Sequence, residues 1–123
     1  MAKKKIMIVD DEASLVELVR VIFEREGFEV ITAYNGLECL EKLKKVEPDL
    51  ILMDMMMPEM SGRETTEKIR ANSKTKNLKI AFLTVARFSE TGKDVLKKLN
   101  VSDYITKPFD NDDLVRRVKK LVG

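Results

Sequence analysis

Five short apolar runs, each followed by a stretch of helical periodicity, leave this chain few folds. Ile6 to Val9, Phe28 to Ala33, Leu50 to Met53, Lys79 to Thr84 and Tyr104 to Thr106 read as strands. The first and third are apolar throughout, as strands buried on both faces of a parallel sheet are. After the first strand, Leu15, Leu18, Val19, Ile22 and Phe23 recur at three- and four-residue steps, with Glu17, Arg20, Glu24 and Arg25 between them, and Gly27 supplies a stop. The Asn35-Gly36 turn leads into a helix over Leu37 to Val46, with Leu37, Leu40 and Leu43 along one side, and Pro48 ends it. Further helices are predicted over Arg63 to Asn72, over about Glu90 to Leu99, and over Asp110 to Val122 with a cap near Asp110 or Asn111. Strict alternation of strand and helix implies a parallel sheet with right-handed crossovers and helices on both faces.

With 123 residues, 44% of them hydrophobic, the chain fits one domain over 1–123 and can supply a real core. Its 23 basic and 21 acidic residues leave a net charge of +2, so no overall field draws it to nucleic acid or membrane. Cys39 is the only cysteine, which rules out a disulfide frame within the chain and accords with a reducing cytoplasm. The opening MAKKK leads into only four apolar residues, too few for a signal peptide or a span. The chain holds no histidine, so phosphohistidine chemistry has to come from a partner.

In open α/β sheets the site forms outside the carboxyl ends of the strands. The residues there are Asp10, Asp11 and Glu12 after the first strand, Tyr34 and Asn35 after the second, Asp54 after the third, Thr84 after the fourth, and Lys107-Pro108 after the fifth. If the first and third strands are neighbours, Asp10 and Asp54 stand roughly 5 Å apart with Asp11 just above. Such a cage of hard oxygens suits Mg2+, which accepts one or two carboxylates and completes its octahedron with water and phosphoryl oxygens. Lys107 and Thr84 would add a cation and a hydroxyl donor. Taken singly, Asp10 or Asp11 reads equally as a helix N-cap, Thr84 as a strand-end residue and Lys107 as a solvated lysine. Their joint placement on one rim favours the site. Met53, Met55, Met56, Met57 and Met60 read as packing side chains rather than sulfur ligands. The cations Lys93, Lys97, Lys98, Arg116, Arg117, Lys119 and Lys120 read as solvated helix faces.

The segments IVDDE, DLILMDMMMPEMSG, IAFLT and DYITKPF, in this order and spacing, resemble the receiver domain of two-component response regulators over essentially the whole chain. The resemblance implies a flavodoxin-like (βα)5 fold with strand order 2-1-3-4-5. It also implies that Asp54 takes a phosphoryl group from a histidine kinase, a phosphotransfer protein or a small acyl phosphate, with its carboxylate as nucleophile. Mg2+ would be held by Asp10, Asp11, Asp54 and the backbone carbonyl of Met56. Lys107, Thr84 and Tyr104 would form the switch that reshapes the surface of the fourth helix, fifth strand and fifth helix for a downstream protein partner. A cis Lys107-Pro108 bond is expected, as is a monomer or a phosphorylation-dependent dimer.

Departures from the family pattern carry expectations of their own. Val85 stands where the family has Ala or Gly, and would crowd the site. Met56 and Ala86, at the two positions that tune hydrolysis, offer no polar group to position water, so self-dephosphorylation should be slow. LNVSDY replaces a commoner Gly-Ala segment and should alter only the loop. Because the chain ends with the fifth helix, output is expected through non-covalent partner binding, as in stand-alone receivers. The alternatives are a receiver-shaped binding module that takes no phosphate, and an aspartyl-phosphate phosphatase. The phosphatase class requires a second Asp where Met56 stands, and a nucleotide-binding flavodoxin-like protein would find its phosphate repelled by Asp10-Asp11-Glu12.

Overall fold

The computed structural model describes residues 3–85 and 90–123. Its elements follow in the order β1 (Lys5–Val9), α1 (Ala13–Arg25), β2 (Glu29–Ala33), α2 (Gly36–Lys42), β3 (Leu50–Met53), α3 (Gly62–Ala71), β4 (Ile80–Thr84), α4 (Glu90–Leu99), β5 (Asp103–Thr106) and α5 (Asn111–Val122). All strands are parallel, in the order β2-β1-β3-β4-β5. The five expected strand and helix pairs are therefore present, with β1 and β3 adjacent.

Alternation along the strands divides the core in two. Ile6, Ile8, Leu50, Leu52, Ala81, Leu83 and Ile105 face one layer with α1 and α5, while Met7, Val9, Ile51, Met53, Ile80 and Phe82 face the other with α2 and α3. Met53 and Met57 are buried in the second layer, as expected of packing side chains.

The helical stripes differ from the sequence reading at Leu18 and Leu37. On α1 the buried positions are Val16, Val19 and Phe23, while Leu18 is 47% exposed. On α2 they are Gly36 and Cys39, continued by Leu43 beyond the helix, while Leu37 is 63% exposed. Gly36 belongs to this face because a Cβ there would lie 2.3 Å from the Thr65 hydroxyl and 2.8 Å from the Met60 sulfur, so α2 meets α3 where Gly36 has no side chain. The last turn of α2 tightens into bonds from Lys44 to Glu41 and from Lys45 to Lys42, ending the regular helix before the expected Val46.

Local chemistry sets the other boundaries. Gly27, at φ +90°, closes α1 with two bonds, Phe28 N–H to Phe23 and Gly27 N–H to Glu24, the pattern of a left-handed C-terminal cap. Ser61 and Glu64 form a reciprocal capping box on α3. Asp110 caps α5 by accepting from the Asp113 amide at 3.0 Å. In LNVSDY, Asn100 adopts φ +53°, a left-handed position that asparagine tolerates, and Lys107-Pro108 is cis.

One side chain ties three segments together. Arg70 of α3 donates to the carbonyls of Leu99 (2.7 Å), Leu78 (2.7 Å), Lys76 (2.9 Å) and Asn100 (3.3 Å), joining the end of α4 to the loop before β4. Burial lowers the Arg70 pKa, and among the described residues main-chain carbonyls hold the guanidinium. Replacing Arg70 with Met should strand these acceptors and cost about 2–4 kcal/mol in urea unfolding. Arg70→Lys should recover only part, because a compact ammonium cannot span the same fork of carbonyls.

Candidate functional site

The sheet ladder continues past β1 and β3 and sets two carboxylates side by side. The Asp10 amide donates to Ala33 at 3.1 Å and the Asp54 amide to Val9 at 2.9 Å. Both side chains are buried, Asp11 is exposed above them, and one oxygen from each of the three lies within 4.8 Å of the others. Asp10 also accepts from the Glu12 amide at 2.9 Å, and Asp54 from the Met56 amide at 3.1 Å. Neither Asp10 nor Asp11 caps α1, whose N-cap is Glu12 without a side-chain capping bond.

Lys107 enters from the end of β5. Its ammonium lies 2.6 Å from Asp10 Oδ2 and 3.7 Å from Asp54 Oδ2, and its amide donates to the Thr84 carbonyl at 2.8 Å. The lysine expected to add a cation to the site is thus held by a carboxylate pair. Burial raises the Asp10 pKa most, opposed by the bonds from Lys107 and Glu12, with Asp54 adding to the rise. One ammonium against three carboxylates leaves the cluster with excess negative charge, which a divalent cation would neutralise.

The remaining expected residues take their places around this cluster. Thr84 is fully buried at the end of β4. Tyr104, half-buried on β5, meets its register partner Phe82 edge to face at 6.0 Å. Val85 and Met56 stand on the rim, 63% and 62% exposed. Ala86 lies outside the described residues. Asn35, also at a strand end, is structural instead and caps α2 by accepting from the Glu38 amide at 2.7 Å.

A residue that sequence reasoning placed only in the loop motif supports the site directly. Gly62 packs against the Asp54 peptide so closely that a Cβ would lie 2.1 Å from its carbonyl oxygen, and its amide donates to Met55 at 3.0 Å. The spacing of Pro58 and Gly62 after Asp54 in DLILMDMMMPEMSG was the available signal.

A parallel sheet with paired acids and a lysine converging on its carboxyl rim defines a receiver domain. Comparison with known proteins agrees: the family model described as response regulator receiver domain matches residues 6–119, and the chain belongs to that family. The chain is 38% identical over 119 residues to the alkaline phosphatase synthesis transcriptional regulatory protein PhoP of Bacillus subtilis, a match covering 97% of this chain and 48% of that protein. It is 39% identical over 118 residues to the CpxR homolog of Haemophilus influenzae, covering 96% and 50%. The chain thus spans about half the length of these curated relatives. Among solved structures, Vibrio cholerae chemotaxis protein CheY4 superposes with a TM-score of 0.91 at 32% identity, covering 98% of this chain and 99% of that one. Thermotoga maritima TrrA, solved in complex with Mg(2+)-BeF, gives 0.80 at 37% identity, covering 96% and 98%. Receiver domains are phosphoacceptor signalling modules rather than classical enzymes, supplied by histidine kinases, and they bind Mg2+ at an acidic pocket. No helix among the described residues is long and apolar enough to cross a membrane.

Two substitutions test this geometry. Gly62→Ala should cost about 1–3 kcal/mol and shift the Asp54 and Met55 amide resonances most, since the backbone there has to give way. Wild-type stability with unshifted amides would contradict the packing. Asp10→Asn removes a buried charge whose pKa burial raises, and should stabilise the metal-free protein at neutral pH. Because the folded pKa of Asp10 is raised, the stability due to its protonation is complete below the unfolded value and lost as pH rises through the folded value. The advantage of Asn should therefore shrink as pH falls through that titration, in thermal melts with chelator present.

Proposed function

We propose that residues 1–123 act as one receiver domain in which Asp54 accepts a phosphoryl group from a histidine kinase or phosphotransfer protein. The observation that carries this reading is the convergence of Asp10, Asp11 and Asp54 within 4.8 Å, with Lys107 bridging two of them. A carboxylate oxygen of Asp54 attacks phosphorus, an acyl phosphate bond forms, and the P–N bond to the donor imidazole breaks, its electron pair leaving with the donor ring.

The residues present fit Mg2+: Asp10, Asp11, Asp54 and the Met56 carbonyl would hold it, and all are hard oxygen donors. When bound, the ion draws charge from the transferring phosphoryl group. Lys107 then has a phosphoryl oxygen as an alternative to Asp10, and the Thr84 hydroxyl, at the buried end of β4, would donate to another. These new bonds favour one arrangement of the β4 and β5 ends. Tyr104 lies on β5 two residues before that end, and the surface of α4, β5 and α5 changes for a cytoplasmic protein partner bound non-covalently.

Hydrolysis is slow in this reading. Met56 is exposed at the rim and apolar, and Ala86 has the same apolar character in the sequence, so neither orients an attacking water. Val85, on the same rim, hinders small donors more than it hinders a protein that brings its own surface.

Intact mass after incubation with phosphoramidate, with and without Mg2+, tests the proposal. The expected result is a Mg2+-dependent gain of one phosphoryl group that is absent in Asp54→Asn and decays slowly after the donor is removed. If a purified histidine kinase also failed to phosphorylate the folded, Mg2+-bound protein, the chain would be a binding module of receiver shape.

A further inference from the structure

All strands end on the acidic rim, so the helices end at the opposite edge of the sheet. There the ends of α2 and α3 and the loop before β4 enclose two adjoining grooves, of about 610 Å3 and 250 Å3, which share Leu43, Lys44, Lys74 and Thr75. Leu40, Leu43 and Leu78 contribute a half-buried to buried apolar floor. Lys44, Lys45, Lys68 and Lys74 stand around it, and among the described residues Glu47 is the one carboxylate lining either groove.

Several cations elsewhere on the helices have a carboxylate within reach. Arg20 pairs with Glu17 and Glu24, Lys42 with Glu38, Arg117 with Asp113 and Asp103, and Lys119 with Glu26. In the grooves Lys44 reaches Glu41 at 3.1 Å, whereas Lys45, Lys68 and Lys74 have no carboxylate partner among the described residues. Neutralising a helix C-terminus accounts for Lys68, in the last turn of α3. It does not account for Lys74, which lies in the loop beyond, nor for the apolar floor beneath both.

We propose that this double groove docks an acidic protein segment, one that sets aliphatic side chains between its carboxylates. The lysines supply the charge complement and the leucines the contact area. Among the described residues neither arginine nor an aromatic ring lines the grooves, so the bidentate phosphate contacts and base stacking of nucleic-acid binding are lacking. A membrane surface fits poorly too, because the leucines lie at the base of a concavity instead of projecting from it. The proposal is independent of the phosphoacceptor reading, since the groove lies at the far edge of the sheet from Asp54.

Titration of the isotopically labelled protein with a short peptide carrying Glu and Leu at helical spacing, followed by amide chemical shifts, tests it. Shifts should cluster in 40–47 and 68–78. Lys68→Glu combined with Lys74→Glu should weaken binding about tenfold or more, and the same reversal at Lys119 and Lys120 on α5 by less than about twofold. A peptide with Ser in place of Leu should also bind more weakly. Equal losses in the two double variants would reduce the effect to bulk charge, and displacement by a short single-stranded RNA or by anionic vesicles would reassign the surface. Shifts elsewhere, or none at roughly millimolar peptide, would likewise overturn the proposal.

Discussion

Three carboxylates share one ammonium at the carboxyl rim of the sheet, and this imbalance organises the protein. Asp10 and Asp54 are buried, so water screens them poorly, and Lys107 answers Asp10 at 2.6 Å but Asp54 only at 3.7 Å. A fold chosen for stability alone would not gather these charges. Their persistence side by side is intelligible if the negative excess is the binding energy for a cation and its phosphoryl partner, with the free protein carrying the cost. Burial chiefly raises the Asp10 pKa, and Asp54 adds to the rise, both acting against the charged form.

Such a cluster needs a backbone that does not relax away from it. The β1–β3 register, extended by the Asp54 amide bond to Val9, keeps the two acids adjacent. Behind Asp54, Gly62 lies against its peptide, and the capping box of Ser61 with Glu64 anchors the helix that carries Gly62. Asp54 is therefore wedged between a strand and a helix start, and the loop between them, with Glu59 in a left-handed conformation, is the length of chain needed to connect the two. This arrangement holds the carboxylate in place without a large side chain, leaving the rim open to a donor.

Much of this was legible in the residues, and what was not has physical reasons. Strand ends and the residues just past them follow from short apolar runs, and those residues became the site once β1 and β3 were neighbours. The stripes of α1 and α2 held at Val19, Phe23, Leu40 and Leu43 but failed at Leu18 and Leu37, which are apolar yet exposed, whereas Gly36 is buried. Hydropathy alone cannot see that a helix face is chosen by close approach, as at Gly36 beside Thr65. Arg70 escaped for a related reason: its partners are main-chain carbonyls, at Lys76 and Leu78 in the loop before β4 and at Leu99 and Asn100 beyond it, which no side-chain pattern records. Gly62 stood in a recognisable motif, but its contact with Asp54 is a property of packing.

Topology also explains why a chain of net charge +2 has two oppositely charged edges. In a parallel (βα)5 sheet every strand delivers its last residue to one rim and every helix delivers its last turn to the other. Acids after the strands therefore collect at one edge, and lysines after α2 and within the last turn of α3 at the opposite edge. Helix dipoles favour the same segregation, since their negative ends point to the lysine edge. Near-neutrality of the whole chain thus conceals a separation of charge imposed by the fold, and each edge suits charged ligands that the other would repel.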